Sequence, residues 1–144
     1  MSEDYFAAEQ PIVDLLKATI PEVQNRVFTI NDIDDVTNES QQTPALHVIH
    51  GGDILGRCGS NGQAQQFDQV WVVVLVIANA AAQRSGTKIR AVAGPIIFKL
   101  LRALEGFVPL EGHCEALHRF EAAEPIYKSG LAAFPFAFTT KLTI

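Results

Sequence analysis

The chain has 144 residues, 48% hydrophobic and 19% charged, which suits one domain over residues 1–144 and excludes a disordered chain. Its formal net charge of −5 argues against general nucleic-acid binding, which needs a basic surface. The two cysteines, Cys58 and Cys114, cannot build a disulfide framework, so both are expected as free thiols from a reducing compartment.

The acidic start Met-Ser-Glu-Asp-Tyr-Phe is unlike a secretory signal, which is basic and then apolar. The wholly apolar stretch from Val70 to Ala78 falls well short of the roughly 20 residues that cross a bilayer. Both features predict a soluble protein made in the cytoplasm, with no membrane partner.

In chain order, Tyr5 to Ile20 reads as an amphipathic helix, with Ile12, Leu15, Leu16 and Thr19 on one face. Pro11 belongs near its first turn, so Tyr5–Gln10 is either a separate turn or a kinked extension, and Pro21 ends the helix. Arg26 to Ile30 reads as a short strand, Asn31 to Thr43 as a polar loop, and Pro44 to His50 as a strand. Gly51 to Gln66 carries five glycines and reads as a long loop or an open hairpin tip. Phe67 to Ala78 is the strongest strand, and its unbroken apolar run predicts cover on both faces. Thr87 to Glu105 reads as a second helix with an apolar stripe of Ile89, Val92, Ala93, Ile96, Ile97, Leu100, Leu101 and Leu104. Pro95 inside it predicts a kink or a later true start, and Gly106 ends it. His113 to Phe120 and Leu131 to Ile144 read as two more strands, with a turn at Tyr127–Gly130. Pro135 implies an edge position or a bulge. The expected fold is α+β, a mixed or mostly antiparallel sheet of about four to five strands packed with two main helices.

Charge is uneven. Residues 1–40 hold nine acidic and two basic residues, a balance of −7, and the remainder nets +2. Complementary charge of this kind can orient copies of one molecule toward each other. The acidic Asp32, Asp34, Asp35 and Glu39 and the basic Arg84, Lys88 and Arg90 are the candidate subunit-interface residues, the alternative being that both stretches are solvated faces.

Candidate chemistry is thin. His47, His50 and Asp53 form H-x-x-H-x-x-D, but on a strand that spacing puts the two imidazoles on opposite faces. His113 and Cys114 are adjacent, so a Cys/His nucleophile pair is not set up. Gly51-Gly-Asp-Ile-Leu-Gly lacks the Gly-Lys-Ser/Thr and the following helix of a phosphate loop. Glu111/Glu115 and Glu121/Glu124 read as surface charge. No catalytic, cofactor or metal residues are expected. The competing reading is a small enzyme using His47/His50/Asp53 or Cys114, recognisable by a concave polar pocket around them.

The order of motifs resembles that of tail terminator proteins of tailed bacteriophages, the small subunits of Mu-like tail modules and related prophages. The matching stretches are Leu15-Leu16-Lys17 to Ile20-Pro21, Pro44-Ala45-Leu46-His47-Val48, Gln69-Val70-Trp71-Val72-Val73 and Ala93-Gly94-Pro95-Ile96-Ile97. They continue with Ala103-Leu104-Glu105-Gly106-Phe107-Val108-Pro109, Tyr127-Lys-Ser-Gly130 and Phe136-Ala-Phe138-Thr139-Thr140. The resemblance implies a non-enzymatic subunit that closes into a ring, usually a hexamer, on the tail tube, ends its polymerisation and offers a surface to head-completion or neck proteins. It places the protein in the host cytoplasm during assembly and then in the virion tail. The alternative within the structural class is another tail or neck component or a small adaptor of similar build.

Overall fold

Trp71–Ile77 lies in a strand with neighbours on both edges, and its side chains enter a buried cluster on each face of the sheet. The computed structural model describes residues 4–30, 42–58, 65–78, 86–128 and 130–144. Across the sheet the order is β1 (Val27–Ile30), β2 (Ala45–Cys58), β3 (Gln65–Ala78), β6 (Leu131–Thr143) and β4 (His118–Ala122), and β5 (Ile126–Lys128) also pairs with β6. Only the β1–β2 pair is parallel among these; the other pairs are antiparallel. Among the described residues, two helices, α1 (Glu9–Thr19) and α2 (Gly86–Leu104), pack with the sheet in an α+β fold, with a 3-10 turn at Pro21–Val23. The sheet has six strands, slightly more than expected.

The alternation of β3 divides the core. Phe67, Trp71, Val73, Leu75 and Ile77 join Ile12, Val13 and Leu16 of α1 and Ile89, Ala93, Ile96, Leu100 and Leu104 of α2 in one buried cluster. On the other face Val74 and Val76 are buried with Leu131 and Ala133, and Ile49, Val72 and Ile126 pack against them. Removing one large side chain from such a core, Trp71 above all, costs about 3–5 kcal/mol.

Several boundaries differ from expectation. α1 begins at Glu9, and residues 5–8 form the separate turn that Pro11 allowed. The glycine-rich segment is no loop through Cys58: β2 continues to that residue against β3, whose other edge is held by β6. Gly56 serves close packing there, since a Cβ on it would lie 2.7 Å from the Gln66 carbonyl oxygen. Residues 59–64, like residues 31–41 of the expected Asn31–Thr43 loop, lie outside the described residues. The 113–120 strand shortens to His118–Ala122, with Cys114 making one isolated bridge to Leu142. Ile126–Lys128 pairs with β6 as a strand, where a turn was expected.

Both prolines find tolerant places. α2 runs through Pro95 without ending there, and Ala91 and Pro95 are both exposed, so the carbonyl deprived of its partner faces water. Pro135 sits where β6 changes partners, after β5 has paired Ala133 and before β4 pairs Phe136. That interval acts as a local edge, where a missing N–H costs no ladder bond.

Candidate assembly interface

The residues with potential chemistry are separated, buried or held in structural roles. His47 pairs in register with Val74 and His50 with Trp71, so the two imidazoles face opposite sides of the sheet, as their spacing predicts. His47 is buried beside the Phe28 ring, 5.6 Å between centroids, and burial lowers its pKa. Asp53 behaves differently. The register shifts between His50 and Asp53, with Gly52 at φ +90, and this bulge brings Asp53 opposite Gln69, on the same face as His50.

Tyr5 closes that face. Its hydroxyl donates to Asp53 Oδ1 at 2.5 Å and lies 3.2 Å from His50 Nε2. With its one proton given to Asp53, the phenol can only accept from His50. Burial, then the Asp53 hydrogen bond, pushes the Tyr5 pKa up, so the group keeps its proton and is poorly suited to serve as a base. Gln69 is fully buried beneath, donating from Nε2 to the Tyr5 carbonyl at 2.8 Å and accepting the Trp71 indole N–H at 2.9 Å. This chain of bonds straps the N-terminal turn to the sheet.

Cys114 is buried and its thiol is pushed up chiefly by desolvation, against a smaller lowering from Thr140, the reverse of an activated nucleophile. Among the described residues no three His, Cys, Asp or Glu side chains are grouped to hold a metal. A depression of about 200 Å³ is lined by Gly56, Gln66, Phe67, Asp68 and Lys141; none of the candidate catalytic residues opens into it. Gly51–Gly56, which lacks the phosphate-loop pattern, is strand. Among the described residues no helix is long and apolar enough to cross a membrane.

The outer surface carries more. Lys88 and Arg90 are exposed in the first turns of α2; Asp32, Asp34, Asp35, Glu39 and Arg84 lie outside the described residues. Lys99 binds Glu22 at 2.7 Å, tying α2 to the 3-10 turn and holding the Glu22 carboxyl below its usual pKa. Glu105 accepts from the Arg119 backbone N–H at 2.8 Å and lies 3.1 Å from His118 Nδ1, and that His118 contact is the main lowering influence on its carboxyl.

Exposed apolar residues are what sequence reasoning missed. Val92, placed in the inward stripe, is 50% exposed, and Phe98 is 63% exposed. Leu55 is 82% exposed on the β2–β3 hairpin. The signal for Phe98 was its absence from the stripe of Ile96, Leu100 and Leu104; Leu55 had none, since its segment read as a loop.

The fold is α+β, several of its polar side chains are engaged in internal straps, and apolar and charged groups are exposed on α2. The family model for phage tail terminator proteins matches residues 1–144, and the chain belongs to that family. It is thus a structural protein of the phage tail. No curated protein is similar enough to count as a match. Among solved structures, a chain from the virion of a native gene transfer agent particle has the same fold, with a TM-score of 0.60 and 15% identity over 99% of this chain and 100% of that one.

Proposed function

We propose that the protein caps the tail tube as a ring of its own copies, hexameric by the family resemblance, ending tube polymerisation and giving head-completion or neck proteins a surface to join. The role is non-catalytic. It is played out in the host cytoplasm during assembly and then in the virion tail, in a Mu-like or prophage tail module. The observation that carries it is the membership of the whole chain in the terminator family, and the exposed cationic and apolar face of α2 supports it.

Within the ring, Asp32, Asp34, Asp35 and Glu39 of one subunit approach Arg84, Lys88 and Arg90 of the next. Charges of this kind orient encounter, while apolar contacts hold the assembly. The experiment is to add purified protein to polymerising tail tubes and image their ends by electron microscopy. Capped tubes of limited length are expected. Lys88→Glu with Arg90→Glu weakens capping, most at low salt, where repulsion is least screened. Tubes that grow unchecked and uncapped at every protein concentration overturn the reading.

A further inference from the structure

The outer face of α2 has an apolar centre that no part of the described chain covers. At 100° per residue, positions 92, 95, 98, 99 and 102 fall within about a third of the helix circumference. All five are exposed. Val92 and Phe98 are the two large apolar groups on this arc, and the Arg102 guanidinium lies over the Phe98 ring at 5.2 Å. α2 contains four basic residues and no acidic one. Lys99 is matched by Glu22, but among the described residues Arg102 has no carboxylate within salt-bridge reach. A rigid aromatic beside an arginine, on an otherwise exposed face, is the composition of an interface anchor.

The complementary surface is on the same chain. Residues 105–124 hold five glutamates and one arginine. Glu105 is matched by His118, while Glu111, Glu115, Glu121 and Glu124 are exposed. The single arginine, Arg119, is turned over the Phe136 ring at 5.2 Å. β4, which carries Glu121, lies at the margin of the sheet, and its register with β6 shifts between Phe120 and Ala122 with Glu121 at φ 33. A charged, bulged edge discourages addition of another strand, so contact there must run through side chains.

We infer that the acidic 111–124 edge of a second copy of this chain seats against the outer face of α2, with Val92 and Phe98 at the centre and Arg102 facing the glutamates. This deepens the ring reading and rests on it. With the edge of each copy seated on the helix of the next, the contact is head-to-tail, and it closes into a ring when the rotation per subunit divides the circle. Lys88 and Arg102 are about 21 Å apart along the helix, so this contact adds to the one proposed at the start of α2.

The test uses full-length protein, half of it labelled with nitrogen-15, assembled in solution or on tube ends and treated with a zero-length carbodiimide. Isotopically mixed cross-links from Lys99 to Glu111, Glu115, Glu121 or Glu124 are expected. Phe98→Ser and Arg102→Glu each weaken association at least about tenfold while circular dichroism and melting of the monomer stay unchanged. Glu121→Lys with Glu124→Lys recovers part of the loss in Arg102→Glu. Rings whose cross-links lie elsewhere, with Phe98→Ser assembling as tightly as the wild type, overturn this inference and leave the ring standing. Phe98→Ser rings that form normally but no longer cap tubes overturn it too, by assigning the face to the tube protein. No ring at any concentration, free or on tubes, overturns both.

Discussion

Gln69→Leu tests the strap that joins the N-terminal turn to the sheet. The substitution roughly keeps volume but leaves the buried Trp71 indole N–H and the Tyr5 carbonyl without the partners they have at 2.9 and 2.8 Å. Each abandoned buried group costs about 1–3 kcal/mol, so the pair sums to about 2–6 kcal/mol, less about 1–2 kcal/mol regained because leucine suits the apolar site. A net loss of about 3 kcal/mol is a large share of the 5–15 kcal/mol expected for a domain, and near this size each kcal/mol moves Tm by about 2–4 °C. Trp71→Phe separates hydrogen bonding from packing. Alone it orphans the Gln69 Oε1 acceptor; in the Gln69→Leu background that acceptor is already gone. Its cost should therefore fall by about 1–3 kcal/mol between the two backgrounds. The assay is urea unfolding followed by far-UV circular dichroism, because Trp71 is the only tryptophan and fluorescence would be lost. A Gln69→Leu protein whose unfolding free energy lies within about 0.5 kcal/mol of the wild type, or equal Trp71→Phe costs in both backgrounds, would refute the reasoning.

Val74→Asp and Trp71→Asp should each abolish soluble folded protein, since both side chains are fully buried and an unpaired buried charge costs several kcal/mol; normal yield with unchanged melting would show β3 to be peripheral. His47 titrates lower folded than unfolded because burial disfavours its charged form. Stability is therefore full above the unfolded value near 6.5 and is lost as pH falls below it, while the unfolded chain alone takes up the proton. Chemical denaturation from pH 8 to 5 should show a shallower loss in His47→Gln than in the wild type, and parallel curves would contradict this. Cys114 should resist iodoacetamide until the protein is unfolded, because its thiol is buried and its pKa raised; peptide mapping that finds it alkylated in the native state would remove the buried-thiol assignment.

What was legible in the sequence was whatever local pattern dictates. The stripe of Ile96, Leu100 and Leu104 and the unbroken Trp71–Ile77 run specify a helix and a doubly covered strand, because burying their apolar surface outweighs every alternative. The separated faces of His47 and His50 follow from strand alternation alone. The order of motifs along the chain was enough to place it in its family. Tertiary structure decided what depends on a partner distant in sequence. Gly51–Cys58 is a strand because β3 offers it a ladder and β6 holds β3 in place; glycine composition alone describes a loop equally well. The bulge at Gly52 is one residue of register, invisible to periodicity, yet it puts Asp53 beside His50 and under Tyr5. Pro135 is tolerated within β6 because β5 pairing ends and β4 pairing begins around it, leaving a local edge. Val92 fits the helical stripe by spacing, but α2 buries only the arc that its neighbours in the sheet and α1 can reach, and that limit is set by packing between elements.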